Sequence, residues 1–302
     1  MPQTRPMIAI LGGLTAAALW ASATLTSSRA GRLIGPSSTA AWMMAIGLLL
    51  ATPLALVTGP IPTITPGVAL WMAGSGVGGV AGLLLVYRGL SLGKVGVVAA
   101  LASTEGAIAA VVSVVAGEHM TFPVAAMLCV IAGGIALVAL ATGTPQPNAS
   151  RPIATTGQGR GHVGSERQAV LLGAAGAVCF GVSIYSTARL GADMGPFAAV
   201  LPVRVAGFVG VFLPLLLSGR LRIARRALPM VALIGAAEVF GNAAYVVGAQ
   251  ESIAIAAVLA SQFAAVAAIA AFALFGERLS LHQRSGVVAI AVGVALLTFF
   301  RG

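Results

Sequence analysis

Residues 131–137 read Ile-Ala-Gly-Gly-Ile-Ala-Leu and residues 290–296 read Ile-Ala-Val-Gly-Val-Ala-Leu, one motif written twice at a spacing of 159. The matches continue outward from this pair. Gly117-Glu118 pairs with Gly276-Glu277 at 159, and Leu101-Ala102-Ser103 with Leu259-Ala260-Ser261 at 158, as does Tyr87 with Tyr245. Arg29 and Arg189, Gly35-Pro36 and Gly195-Pro196, and Gly59 and Gly219 correspond at 160. One-residue gaps in two loops account for the drift. The chain is therefore two copies of one unit, 1–143 and 168–302. Between them lies 144–167, TPQPNASRPIATTGQGRGHVGSER, whose Pro, Gly, Ser and Thr content marks a flexible polar linker.

Each copy is built to sit in lipid. Of 302 residues, 59% are hydrophobic and 8% charged, against roughly 25% charged in a soluble domain. So few charges cannot cover the surface of a water-soluble chain this long. Apolar runs recur at 7–27, 38–58, 67–87, 95–117, 123–143, 168–189, 196–218, 227–249, 254–276 and 284–300. Each has the ~17–25 residues that a bilayer core demands of a helix. The expected fold is all-α and integral to the membrane, with ten transmembrane helices. Five spans per copy is an odd number, so the second copy enters from the opposite side. The repeat is inverted, an architecture tied to alternating access.

The motifs flanking the repeat carry a family resemblance. Gly276-Glu277-Arg278-Leu279-Ser280, followed by Gln283, Gly286 and Gly293, resembles the repeat-ending signature of EamA-type members of the drug/metabolite transporter superfamily. Gly117-Glu118-His119-Met120-Thr121 with Gly134 is a worn first copy, lacking the Gln and carrying Met127 for the glycine. Ser103 to Ala110 resembles a fourth-helix pattern of amino-acid exporters in that family, with Gly106 and, in the second copy, Ala264 where proline is common. Arg204 matches an arginine common in the second helix of a repeat, and its first-copy counterpart is Met44. The resemblance implies an exporter of small metabolites, amino acids or their relatives favoured.

The candidate site follows from where polar groups interrupt the apolar spans. Glu105, Arg204 and Glu238 fall well inside predicted spans, where an ionisable side chain costs about 2.5–3.5 kcal/mol even on lenient scales. Such groups face a cavity or a partner. All three lie roughly 15–21 Å from one membrane face at 1.5 Å per residue, so one layer near the midplane can hold them. Two overlapping readings stand: Arg204 and Glu238 form a structural ion pair, or these residues contact substrate and couple protons. Glu238, Asn242 and Tyr245 are spaced to share one helix face, and Tyr87 takes the matching place in the third span. Ser103, Ser261 and Gln262 interrupt the fourth and ninth spans. Trp20 and Tyr185, in the first span of each copy, are candidate aromatic walls. Glu118 and Glu277 sit in tight turns and are read as turn and capping residues, Ser280 and Gln283 having capping-box spacing.

Other classes are disfavoured residue by residue. The net charge of +10 comes from loop arginines without interleaved aromatics, which argues against nucleic acid. Gly74-Ser75-Gly76-Val77-Gly78-Gly79 fits a dinucleotide pattern but lies inside a span; Gly74, Gly78 and Gly82 at steps of four instead let helices approach closely. Gly89-Leu90-Ser91-Leu92-Gly93 lacks the strand context of a nucleophile elbow. His119, His162 and His282 are too scattered for a metal set, Cys129 and Cys179 lie within apolar spans, and no cofactor is expected. The amino terminus lacks a signal-peptide cleavage site, so the first span is expected to be retained.

The expected function is secondary transport without ATP, since Gly93-Lys94 lacks the rest of a phosphate-binding loop. The expected partners are a small-molecule substrate, the lipid bilayer of the cell membrane and protons, with monomer and homodimer both open. A non-transporting membrane scaffold is the rival reading. Thirteen of the seventeen basic residues fall on one side of the membrane, which by the positive-inside rule puts both termini outside. The resemblance implies both inside; we follow the charge rule, which acts on these residues directly.

Overall fold

The apolar runs fold as helices whose ends fall where glycine and proline stand. In a computed structural model, which describes residues 5–58, 63–92, 95–142, 163–263, 265–267, 270, 285, 288–289 and 292–293, α1 (Arg5–Ile34) gives way to α2 (Pro36–Thr58) at Gly35. Gly35 has φ 85°, and its repeat counterpart Gly195, between α7 (Val163–Met194) and α8 (Pro196–Gly207), has φ 79°. A left-handed residue closes each helix, and the next helix opens on a proline whose missing N–H costs nothing at a first turn. The two copies thus make the same corner with the same residues. The first copy continues with α3 (Pro66–Leu92), α4 (Val95–Ala102), α5 (Glu105–Val115) and α6 (Phe122–Thr142). The second continues with a π-helical turn at Phe208–Phe212, α9 (Leu213–Leu217), α10 (Leu228–Ala249) and α11 (Ile253–Ala260).

Six helices among the described residues are long and apolar enough to cross a membrane: Met7–Ile34, Pro36–Thr58, Pro66–Leu92, Glu166–Met194, Pro196–Leu217 and Arg225–Ala249. The expected continuous span 95–117 is corrected: it is two helices, α4 and α5, separated at Ser103 and Thr104. The Thr104 hydroxyl donates to the Leu101 carbonyl at 2.7 Å, and the Thr104 N–H reaches the same carbonyl at 3.1 Å. A side chain competing for the backbone in this way interrupts the i−4 ladder. The ninth span is interrupted at the matching place, Ser261 and Gln262, where the Gln262 N–H turns back to Leu259 at 3.2 Å, and helix resumes at Phe263. α7 begins at Val163, five residues before the predicted span, so helix has replaced the end of the predicted linker. Pro214 lacks an N–H and its ring crowds the carbonyl four residues back; the Leu213 N–H bonds Phe208 instead, widening the seventh span into a π turn. Linker residues 143–162, Glu277 to Arg284 and most of the tenth span lie outside the described residues.

Packing exchanges the copies. α3 lies along α7, and α1 lies along α10. Side chains added at Gly74, Gly78 and Gly82 would strike Ser186, the Cys179 carbonyl and Phe180 respectively, so these positions need glycine for the close approach. Ser75 and Thr187 share a hydrogen bond of 2.7 Å across the same seam. The contacts run in opposite order along the two helices, which makes α3 and α7 antiparallel. α1 and α10 are antiparallel too: Gly12 meets Ala244 and Gly248, while Trp20 meets Gly241. First and third spans of one copy run the same way, since a second span returns between them. First and third spans of different copies run oppositely, which is the inversion read from the odd span count.

Candidate functional site

The buried charges gather where α2, α8 and α10 meet. Arg204, from the last turn of α8, is 2% exposed, and its Nη2 donates to Glu238 Oε2 at 3.1 Å. Its Nη2 also lies 3.4 Å from the Glu238 carbonyl. Asn242, one turn further along α10, donates to that carbonyl at 2.7 Å and lies 3.5 Å from Oε2. The α10 spacing predicted from sequence therefore does place Glu238 and Asn242 on one face. Arg204 Nη1 rests against the Met44 sulfur at 3.7 Å, so a residue and its repeat counterpart touch. Arg204 Nε finds no partner among the described residues. Removing one member of such a pair leaves the other charge buried and alone, which is far costlier than the pair is stabilising.

Glu105 sits at the break between α4 and α5 and is 9% exposed. No hydrogen bond or ion pair reaches its carboxyl from the described residues. Arg204 and Glu238 thus meet between α8 and α10, while Glu105 stands at the break between α4 and α5. The break is also where the copies cross. A side chain at Gly106 would collide with the Ala257 carbonyl and the Ser261 hydroxyl, so the interrupted spans of both copies touch at their interruptions. Ser103 is buried, and the Ser261 hydroxyl donates to Val258 at 2.9 Å. Both serines belong to the breaks.

Aromatic rings pack together from α1, α3, α7 and α10. Trp20 lies 6.3 Å from Tyr245 and 6.2 Å edge-on from Phe263. Its indole N–H is buried without a partner among the described residues. Tyr185 packs edge-on against Trp71 at 5.7 Å, and the Tyr245 hydroxyl donates to the Ile184 carbonyl at 3.2 Å. Tyr87 is 41% exposed, and no ring contact reaches it from the described residues. Gln262 is buried, and its Nε2 has no hydrogen-bond partner among the described residues. Sequence reading missed Phe263 and Trp71. Phe263 was within reach, because it is the repeat counterpart of Glu105.

The sequence model of the EamA-like transporter family matches residues 7–140 and again 167–299. No curated protein sequence matches the chain. A solved structure described as "Crystal structure of protein" shares the fold, with a TM-score of 0.76 and 18% identity over 99% of this chain and 100% of that one.

Proposed function

The chain belongs to the EamA-like transporter family, whose members are multi-pass membrane transporters and not enzymes, and on that premise we propose that it is a secondary exporter of small amino-acid-like metabolites in the cell membrane. The observation that carries this reading is the meeting of two interrupted spans at Gly106 and Ser261, with Glu105 beside the break. Discontinuous helices at the interface of inverted repeats are where substrate and coupling-ion sites lie. An unpaired acid there is a group that can take up and release a proton or an ammonium ion. The substrate carboxylate competes with Glu238 for Arg204, whose Nε has no partner among the described residues. Trp20, Tyr245, Tyr185 and Tyr87 line the apolar part, and Ser103, Ser261 and Gln262 stand at the breaks. The copies 1–143 and 168–302 rock about this centre while 144–167 tethers them.

Uptake into proteoliposomes, measured over an amino-acid panel with and without a pH gradient, tests the reading. The parent should accumulate at least one substrate faster under the gradient, and Glu105→Gln should lose that stimulation. Equal rates in parent, Glu105→Gln and Glu238→Gln would leave the scaffold reading in place.

A further inference from the structure

Glu118 does more than shape its own turn. It stands just beyond α5, after Gly117, in the first copy. Its carboxylate accepts the Ser252 hydroxyl at 2.5 Å through Oε1 and the Ala254 N–H at 3.3 Å through Oε2. Ser252 is the N-cap of α11, in the second copy, and its own oxygen accepts the Ile255 N–H at 3.3 Å. A carboxylate from one copy thus completes the cap of a helix in the other. The first N–H groups of a helix and the positive end of its dipole favour an anion in that place.

The same end of the bundle is sealed beneath this contact. Tyr245, Val246 and Ala249 are buried there with Ala188, Leu190 and Met194. Gln250 reaches back from α10 to the Ala188 carbonyl at 3.4 Å. The repeat counterparts at the opposite end are Tyr87, Arg88 and Ser91, and all three are exposed. One end is closed where Glu118 joins the copies, and the other presents polar side chains outward.

We propose that Glu118 is a positioning residue of the transport cycle: its bond to the α11 cap is the clasp holding the Tyr245 end shut in the state described. This rests on the alternating-access reading above. Release of the clasp frees α11 from the α5–α6 turn, opens the Tyr245 end and closes the Tyr87 end.

The test uses full-length protein in nanodiscs, where both faces are reachable, in a Cys129→Ser, Cys179→Ser background. Single reporters are Ala249→Cys at the clasped end and its counterpart Ser91→Cys at the other, labelled with a membrane-impermeant maleimide. Losing a hydrogen bond to a charged group is worth about tenfold in an equilibrium. Glu118→Ala should therefore raise labelling of Ala249→Cys about tenfold and lower that of Ser91→Cys, with Glu118→Asp restoring much of the parent pattern. A rise at Ala249→Cys with Ser91→Cys unchanged or also raised means local fraying and overturns the clasp, as do unchanged rates at both. A Glu118→Cys, Ser252→Cys disulfide keeps the idea testable if Glu118→Ala misfolds: oxidation should block labelling at Ala249→Cys, and continued labelling refutes the proposal. Labelling needs no substrate, so a failed uptake panel would sink the exporter reading without deciding this one.

Discussion

Tyr245 and Tyr87 occupy equivalent places in the two copies, yet one is fully buried with its hydroxyl bonded to Ile184 and the other is 41% exposed. Their neighbours differ in the same sense, Val246 and Ala249 against Arg88 and Ser91. A two-fold repeat made of identical parts would have identical ends. The divergence shows that the duplicated frame sets where helices run, while side chains decide which end packs dry. It continues to the middle of the bundle, where the second copy holds Arg204 and Glu238 and the first holds Met44 and Val80.

Making the second copy resemble the first should break this comparison most severely at its centre. Arg204→Met strands Glu238 and should lower stability by about 3–5 kcal/mol, read as a fall in the thermal midpoint in detergent. Arg204→Met with Glu238→Val removes both charges, and the midpoint should recover most of the loss while uptake stays abolished. If the double variant is no more stable than the single, the ion pair is not what Arg204 contributes. Next in size is the crossing of the interrupted spans. Gly106→Val has no room beside Ala257 and Ser261 and should cost about 1–3 kcal/mol as overpacking; an unchanged midpoint would mean that the spans are further apart than described. The tyrosines give the smallest and sharpest contrast. Tyr245→Phe should cost about 1 kcal/mol for its lost hydrogen bond, and Tyr87→Phe should stay within about 0.5 kcal/mol, as exposed changes do. Equal effects from the two would erase the distinction between the ends.

The frame was legible because the signals that set it are long and redundant. A bilayer requires runs of fixed length, and the repeat shows its inversion through an odd count of such runs. Gly74, Gly78 and Gly82 announced a close helix contact, though not that α7 of the other copy would supply it. The site was legible in its charged members, because an ionisable group in lipid must find company, and Arg204 and Glu238 found each other. The breaks were not legible. Val95 to Ala116 is apolar enough to read as one helix, and the break, where the Thr104 N–H and hydroxyl both turn back to Leu101, leaves no mark in the hydrophobic pattern. Glu118 was read as local turn chemistry because its partners lie 134 residues or more away.

The contact between Arg204 and Met44 has a meaning for ancestry and design. A position that touches its own counterpart sits beside the pseudo-dyad, so whatever residue it carries meets a second copy of itself in any strictly symmetric assembly. Two guanidinium groups facing each other there would repel in a place with little water to screen them. A homodimer of half-length chains could not hold this arginine. Fusion into one polypeptide is what lets the mirror be broken at its own axis, with a thioether taking one seat and a cation the other.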